Sequence, residues 1–168
     1  MRLTRFRLAP LLLTAFALSS FPAVAGGLEQ NKEVARKLFD EALSRDKWDT
    51  YLAIHAPAFR AHAGRSTATR EEDLEFAKGW RRAFPDGAYT IEKLVAEGDL
   101  VAVYWTGRGT NTGEGKGLPA TGKTIDITGV TLLRIVDGLI VEEWNVADQL
   151  GMYRQLGLMS PKKKPENP

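Results

Sequence analysis

The chain has 168 residues, a formal net charge of +2 and no cysteine. The absence of cysteine excludes disulfides, thiolate metal sites and cysteine nucleophiles, and two histidines are too few for a multi-histidine zinc site. Neither a GxGxxG fingerprint nor a P-loop is present, which argues against a nucleotide cofactor.

Residues 1–25 have the pattern of a cleavable signal peptide. A cationic segment, MRLTRFR, precedes the apolar LAPLLLTAFALSS and the small-residue site Ala23-Val24-Ala25. We expect cleavage near Ala25 and export, either to the periplasm or out of the cell. No second long apolar run follows, so a stable membrane anchor is not expected. Because three arginines leave with the peptide, 20 of the 23 Lys and Arg remain against 21 Asp and Glu, which predicts no nucleic-acid surface.

Three helices are predicted in the first half of the chain. Between Leu28 and Leu43 apolar residues recur every three or four positions, which is typical of an amphipathic helix. A second, short helix is expected with Asp46 as its cap, ending before Pro57. The third helix begins at a capping box, Thr69 to Glu72. Its predicted apolar face carries Phe76, Trp80 and Phe84.

After the third helix the hydrophobic period changes from helical to two. Strands are predicted at 89–97, 100–112, 124–136 and 139–147, with a further short strand at 59–63. Tight turns such as Asp137-Gly138 make the later strands antiparallel. The order predicts one α+β domain over residues 26–158, in which three N-terminal helices pack on a curved, mostly antiparallel sheet. Residues 159–168 are expected to be a disordered tail.

Asp148 is the main candidate for chemistry. Counted from Leu139, the even positions of the last strand share one face, which places Asp148 on the same side as Trp144. If that face lines the interior, burial beside the indole raises the pKa of Asp148 toward the range useful for proton transfer, and Trp144 contacts substrate. The alternative is that Asp148 caps the helix that begins at Gln149.

Four other residues are candidate site residues, each with an ordinary structural alternative. His62 is a candidate acid or base, or else a surface or satisfied core histidine. Trp105 and Asn111 share a strand face and are expected to offer a wall and an amide to the same interior, although most tryptophans at this spacing are core. Arg134 is a candidate anion contact, or else a solvated or salt-bridged arginine. The glycine-rich residues 113–122 are expected to form a flexible rim at the mouth of a pocket.

Two long segments resemble a known family. AFPDGAYTIEKLVAEGDLVAVYWTGRGTNTG and GLPATGKTIDITGVTLLRIVDGLIVEEWNVADQLGMYRQLGL are similar to the SnoaL-like polyketide cyclase or ester cyclase family of the NTF2-like superfamily. The resemblance covers about residues 30–158, and its most specific parts are FPD, AEGD, GLPATG and the RxxDGxIxExW ending. It implies an NTF2-like cone with a deep pocket, no cofactor or metal, and frequent dimerisation through the outer face of the sheet.

The resemblance also implies a role for Asp148. In the family an aspartate near the C-terminal end is the acid and base of an intramolecular aldol ring closure, and Asp148 matches that motif. Two features depart from the family. Relatives often read GTHTG where this chain has GTNTG, so Asn111 replaces a histidine. Export also separates the chain from polyketide ring closure, which takes place in the cytoplasm.

Two functions are therefore expected as alternatives. The first is an exported SnoaL-like enzyme that uses Asp148, assisted by His62 and Asn111, for cofactor-independent acid/base chemistry on a small apolar carbonyl compound, such as aldol-type cyclisation or isomerisation. The second is a noncatalytic extracytoplasmic protein that binds a small hydrophobic molecule. A further variant of the first, an isomerase or dehydratase, differs only in its substrate.

Overall fold

The computed structural model describes residues 23–159. Most of the expected signal peptide (residues 1–22) and all but the first residue of the expected tail (residues 160–168) therefore lie outside the described residues. Between residues 23 and 159 no helix is both long and apolar enough to cross a membrane.

Four helices occur among the described residues. Helix α1 spans Ala23–Arg36 and continues as a wider π-helical segment, Lys37–Leu43. Helices α2 (Trp48–Ile54), α3 (Arg70–Ala83) and α4 (Gln149–Leu156) follow. The capping box predicted for α3 is confirmed, because the Thr69 side chain accepts from the Glu72 amide while the Glu72 carboxylate accepts from the Thr69 amide at 2.8 Å. The predicted cap of α2 is wrong, since Lys47 occupies the N-cap position.

Six strands form one sheet. They are β1 (His55–Ala63), β2 (Ser66–Thr69), β3 (Ala88–Glu97), β4 (Leu100–Thr110), β5 (Thr124–Val136) and β6 (Leu139–Ala147), arranged in the order β2-β1-β6-β5-β4-β3. Only the β1–β6 pair is parallel, so the expected mostly antiparallel sheet is confirmed. The sequence did not predict β2, and β1 begins four residues earlier than expected.

A β-bulge at Val141 decides which residues of β6 face the interior. Ile140 pairs with Ile135, whereas Glu143 pairs with Leu133, so β6 contains one more residue than β5 between these two pairs. An extra residue in one strand reverses the side-chain alternation beyond it. Both partners in β5 are buried, and Glu143 therefore lies on the inner face.

The reversal places the end of β6 opposite to the expected orientation. Asn145 and Ala147, which pair with Thr131 and Gly129 of β5, follow Glu143 on the inner face. Trp144 lies on the outer face with its partner Leu132. The prediction that the even positions of β6 line the interior is wrong beyond Val141, because it assumed an unbroken alternation.

The hydrophobic core lies between the helices and the inner face of the sheet. Odd-numbered residues of β4 and β5 point inward and are buried, and Phe39 of the π-helical segment packs against Trp105 of β4. The fully buried side chains include Leu38, Phe39, Tyr51, Phe59, Phe84, Val101, Val103, Leu133 and Ile135. Dense packing of this kind holds the inner face of the sheet in a single arrangement.

One arginine connects α3 to the segments on either side of it. The Arg81 guanidinium donates to the carbonyl of Leu43 at 2.6 Å, and to those of Pro85 and Gly87 at 3.0 and 2.8 Å. It also forms an ion pair with Asp46, which has a positive φ of 57°. Three backbone carbonyls and a carboxylate thus depend on one side chain that is largely buried.

Replacing this arginine should destabilise the fold. We expect Arg81→Met to lower the free energy of unfolding by roughly 2–4 kcal/mol, because several carbonyls lose their donor. The measurement is urea unfolding followed by circular dichroism. The control is Arg82→Met at the exposed next position, which removes the same charge and should change the free energy by only about 0.5 kcal/mol or less. Equal losses in the two variants would contradict this role of Arg81.

Candidate functional site

A cavity of about 490 Å³ lies between the helices and the inner face of the sheet. Its walls come from the π-helical segment, α2, α3, α4, all six strands, and the loop between β4 and β5. Apolar side chains dominate these walls, among them Leu38, Leu43, Trp80, Trp105, Ile127 and Met152. Such a concave apolar space with a few polar groups is the usual form of a small-molecule site.

A second depression, of about 650 Å³, is more open and lies on the surface near Asp86 and Arg108. Its polar groups already bind each other. Arg108 donates to Asp126 at 2.9 Å, and the Asp86 carboxylate accepts from the amide and hydroxyl of Thr110 at 2.6 and 2.7 Å. The enclosed cavity is therefore the candidate functional site.

Trp105 forms part of the cavity wall, where the sequence placed it. Its indole Nε1–H donates to Thr131 Oγ1 at 3.0 Å, and the same oxygen accepts from the Asn145 amide at 2.9 Å. The ring lies directly over Gly129, where a Cβ atom would come within 2.2 Å of Trp105. Only glycine at this position lets the indole lie flat against β5.

Asp73 of α3 and Tyr51 of α2 meet in the cavity. The Tyr51 hydroxyl donates to Asp73 Oδ2 at 2.6 Å. Burial raises the pKa of Asp73, while this hydrogen bond and the positive charge of Lys116 act in the opposite direction. Burial, followed by the negative charge of Asp73, also raises the pKa of Tyr51, so the phenol stays protonated and keeps donating.

Glu143 of β6 brings a second carboxyl group into the same cavity. Burial first, and the negative charge of Asp73 second, raise the pKa of Glu143 to about 8, while a hydrogen bond from Asn145 opposes the shift. Glu143 is half-buried, and it is one of the residues that line the cavity. The two acids titrate as a pair, in which the hydrogen bond from Tyr51 favours the carboxylate form of Asp73. Near neutral pH Glu143 keeps its proton, because its pKa is raised to about 8.

His55 supports Tyr51 from behind. Its Nδ1–H donates to the Tyr51 carbonyl at 2.7 Å, and its ring stacks on the phenol ring at 3.9 Å. His55 is 1% exposed, and Nε2 has no hydrogen-bond partner among residues 23–159. Burial lowers the pKa of His55 to about 4. The neutral imidazole thus fixes the ring that orients Asp73.

The structure places Asp148 outside the cavity. The carboxylate is exposed and accepts from the Gly151 amide at 2.8 Å as the N-cap of α4. The alternative that the sequence left open, a helix cap, describes this geometry. The expected position of Asp148 beside an interior Trp144 is wrong, because the bulge at Val141 turns that face of β6 outward.

Three other predicted site residues lie together on the outer face of the sheet. The His62 ring stacks on Trp144 with ring centroids 5.1 Å apart, and its Nε2 lies 3.4 Å from Glu142 Oε1. Arg134 donates to the other oxygen of Glu142 at 2.6 Å. His62 is among the residues that line the cavity, while Trp144 and Arg134 are not. The expected interior position of Trp144 is wrong, the salt-bridged alternative describes Arg134, and the catalytic role of His62 stays a prediction.

Asn111 has a structural position. It is fully buried, and its amide donates to the carbonyls of Ala83 and Gly113 at 3.1 and 3.0 Å. Its Oδ1 accepts from the amide and hydroxyl of Thr121 at 2.9 and 2.8 Å. Every polar atom of the side chain is occupied, and Asn111 does not line the cavity, so its expected contact with substrate is wrong.

The sequence reading did not select Asp73, Glu143 or Tyr51. A signal for Asp73 was present, because it lies three positions before Phe76 and seven before Trp80, on the same stripe of α3. Glu143 could have been found only by locating the bulge. Among residues 23–159 no three His, Asp or Glu side chains are grouped as a metal-ligand set.

Comparison with known proteins places the cavity in context. A family model, SnoaL-like polyketide cyclase, matches residues 33–156. No curated protein matches the chain significantly in sequence. The structure of a candidate SnoaL-like polyketide cyclase from Jannaschia sp. CCS1 has a TM-score of 0.73 and 27% identity, covering 79% of this chain and 94% of that chain.

Two Streptomyces structures are also similar to this chain. IdmH of Streptomyces antibioticus, a candidate polyketide cyclase, has a TM-score of 0.68 and 31% identity, covering 76% of this chain and 99% of its own. AclR of Streptomyces galilaeus, a candidate hydroxylase, has a TM-score of 0.73 and 25% identity, covering 79% and 99%. Because these proteins are named for different reactions, the shared fold does not fix the activity, which depends on the groups in the cavity.

The buried His55 predicts a specific pH dependence of stability. The unfolded chain binds a proton at the ordinary pKa of 6.5, whereas the folded chain resists it down to about pH 4, so lowering the pH through this window favours unfolding. Relative to His55→Phe, which cannot titrate, the parent protein should lose roughly 3 kcal/mol of unfolding free energy between pH 6.5 and 4. Chemical denaturation across this range measures it. A constant difference would contradict a buried neutral imidazole.

Proposed function

This chain belongs to the SnoaL-like polyketide cyclase family, and we propose that it catalyses cofactor-independent proton transfer on a small carbonyl compound bound in the cavity. Asp73 acts as the base and Glu143 as the acid. The observation that carries the proposal is the pair of unequal carboxyl groups in one apolar cavity, one favoured as the carboxylate by Tyr51 and the other protonated near neutral pH.

The chemistry that this pair supports is enolisation. The Asp73 carboxylate removes a proton from the carbon next to a substrate carbonyl, and Glu143 gives its proton to the carbonyl oxygen, so the product is an enol. In cyclisation the enol carbon then attacks a second carbonyl of the same molecule, while the Glu143 carboxylate takes back the enol proton and Asp73 protonates the new alkoxide oxygen. In isomerisation Glu143 takes back the enol proton, and Asp73 returns its proton at another carbon. Tyr51 keeps Asp73 oriented, while the aromatic and aliphatic walls exclude water.

Binding without turnover is the alternative function. The apolar walls, with Trp80, Trp105 and Met152, favour a hydrophobic ligand whether or not it reacts. Two carboxyl groups in such a cavity are costly to desolvate, however, and a site that only binds an apolar molecule has no need of them. Their presence favours the catalytic proposal.

The proposal also includes a place of action and an assembly. Action outside the cytoplasm is supported by the signal-like pattern of residues 1–25. A homodimer through the outer face of the sheet is supported by exposed apolar side chains on that face, where single-domain proteins ordinarily carry polar residues. These side chains are Val95, Tyr104, Val130 and Val146.

Proton exchange tests the catalytic pair directly. With propiophenone in D₂O, we expect the protein to accelerate deuterium incorporation next to the carbonyl, measured by ¹H NMR. Asp73→Asn and Glu143→Gln should each lower the rate by about 10²- to 10⁴-fold, because each removes one proton carrier. Quenching of Trp80 and Trp105 fluorescence by the ketone measures binding separately.

The same assay tests Asp148, which the sequence predicted as the acid and base. Asp148→Asn should keep the exchange rate, because Asp148 caps α4 outside the cavity. A large loss there, with Asp73→Asn unaffected, would return the catalytic role to Asp148. Binding by the parent with no exchange above buffer would favour the noncatalytic function.

The exchange rate should also depend on the pH near 8. Glu143 must be protonated to donate, and its pKa is raised to about 8, so the rate should fall as the pH rises through that value. The measurement is the second-order rate constant of the parent between pH 6 and 10. In Glu143→Gln the remaining rate should lack this decrease. A decrease that persists in the variant would assign the titration to another group.

A further inference from the structure

The loop between β4 and β5, residues 111–123, is docked against α3. A Cβ atom at Gly113 would lie 2.0 Å from the Arg82 carbonyl oxygen, and one at Gly115 would lie 2.1 Å from that of Gly79. Only glycine permits such close backbone contact. Because the buried Asn111 anchors the start of the loop, its middle is held in one place above the helix.

This docking presents Lys116 at the mouth of the cavity. Lys116 has a positive φ of 58°, and its side chain crosses α3 at Gly79, where a Cβ atom would come within 2.9 Å of Lys116 Cδ. The ammonium Nζ lies 3.1 Å from the centroid of the Phe76 ring, and both side chains line the cavity. The ammonium is therefore held against an aromatic face at the entrance.

Lys116 is the cavity cation that can still bind an anion. The other one, Arg81, already donates to three carbonyls and pairs with Asp46. None of the ion pairs within 4.0 Å among residues 23–159 includes Lys116. Asp73 attracts it from deeper in the cavity without replacing a direct partner.

We propose that Lys116 and Phe76 form an anion-recognition site at the cavity mouth, and that the substrate is a carbonyl compound carrying a carboxylate. The carboxylate pairs with the ammonium while the body of the molecule lies along Phe76 and the apolar walls, with its carbonyl at Glu143. A single ammonium balances a monoanion, whereas a phosphate dianion would add repulsion from Asp73. The carbonyl part of this inference rests on the proposed function, and the anion site rests on the loop geometry.

A matched pair of probes tests the anion site. 4-Oxo-4-phenylbutanoate and its methyl ester share one aryl ketone and differ in charge, and quenching of Trp80 and Trp105 fluorescence measures the binding of each. The parent should bind the acid more tightly than the ester. Lys116→Met should weaken acid binding by about 10- to 100-fold and change ester binding by about twofold or less, because only the acid loses a charged partner.

Two controls separate a local contact from net charge. Lys93→Met removes the same charge from an exposed position of β3 outside the cavity, and it should leave the preference for the acid intact. Lys116→Arg keeps the charge and should retain the preference. Equal acid and ester affinities in the parent, or equal effects of Lys116→Met and Lys93→Met, would overturn the inference.

The same probes distinguish failure of the anion site from failure of the proposed function. Glu143→Gln should lose deuterium exchange on the keto acid but keep the preference for acid over ester. If the parent binds the acid through Lys116 but exchanges no protons, the anion site stands and the catalytic proposal fails. If it exchanges protons on both probes without preferring the acid, the catalytic proposal stands and the anion site fails.

Discussion

One extra residue in β6 determines the chemistry of the interior. Before the bulge at Val141, β6 contributes Ile140 to the core, and an unbroken strand would have continued with Glu142 and Trp144. The bulge instead turns Glu143 and Asn145 inward. Because side chains of a strand alternate with a period of two, one inserted residue is enough to move the odd-numbered side chains to the inner face and the even-numbered ones to the outer face. The acid of the cavity therefore depends on a local irregularity of the sheet.

The two carboxyl groups in this apolar cavity have different neighbours, which favour different protonation states. Asp73 has the Tyr51 hydroxyl and the more distant Lys116 ammonium, both of which favour the carboxylate. Glu143 has the negative charge of Asp73 instead, and it keeps its proton. His55 stacks on Tyr51, and its buried Nε2 has no hydrogen-bond partner among residues 23–159, which is unfavourable by itself. His55 thus costs the fold some stability next to the two carboxyl groups of the proposed chemistry.

The sequence predicts those features of the fold that depend on local rules. The capping box at Thr69, the change from helical to twofold periodicity and the Asp137-Gly138 turn, where both residues have positive φ, gave the right elements and nearly the right boundaries. The inner face of β6 could not be predicted, because the bulge is visible only in its pairing with β5. The meeting of Tyr51 with Asp73 depends on how α2 packs beside α3, which no local pattern specifies.

Glu142 and Glu143 show why residue type alone does not identify a site. They are neighbours in sequence, yet the pKa of Glu142 is lowered, chiefly by its hydrogen bond with Arg134, while burial raises that of Glu143 to about 8. His62, Trp144 and Arg134 lie around Glu142 on the outer face, and these residue types are typical of catalytic sites. Because Arg134 and solvent both stabilise its charged form, the Glu142 carboxylate is a weak base. Desolvation, which only the fold supplies, keeps the inner glutamate protonated near neutral pH.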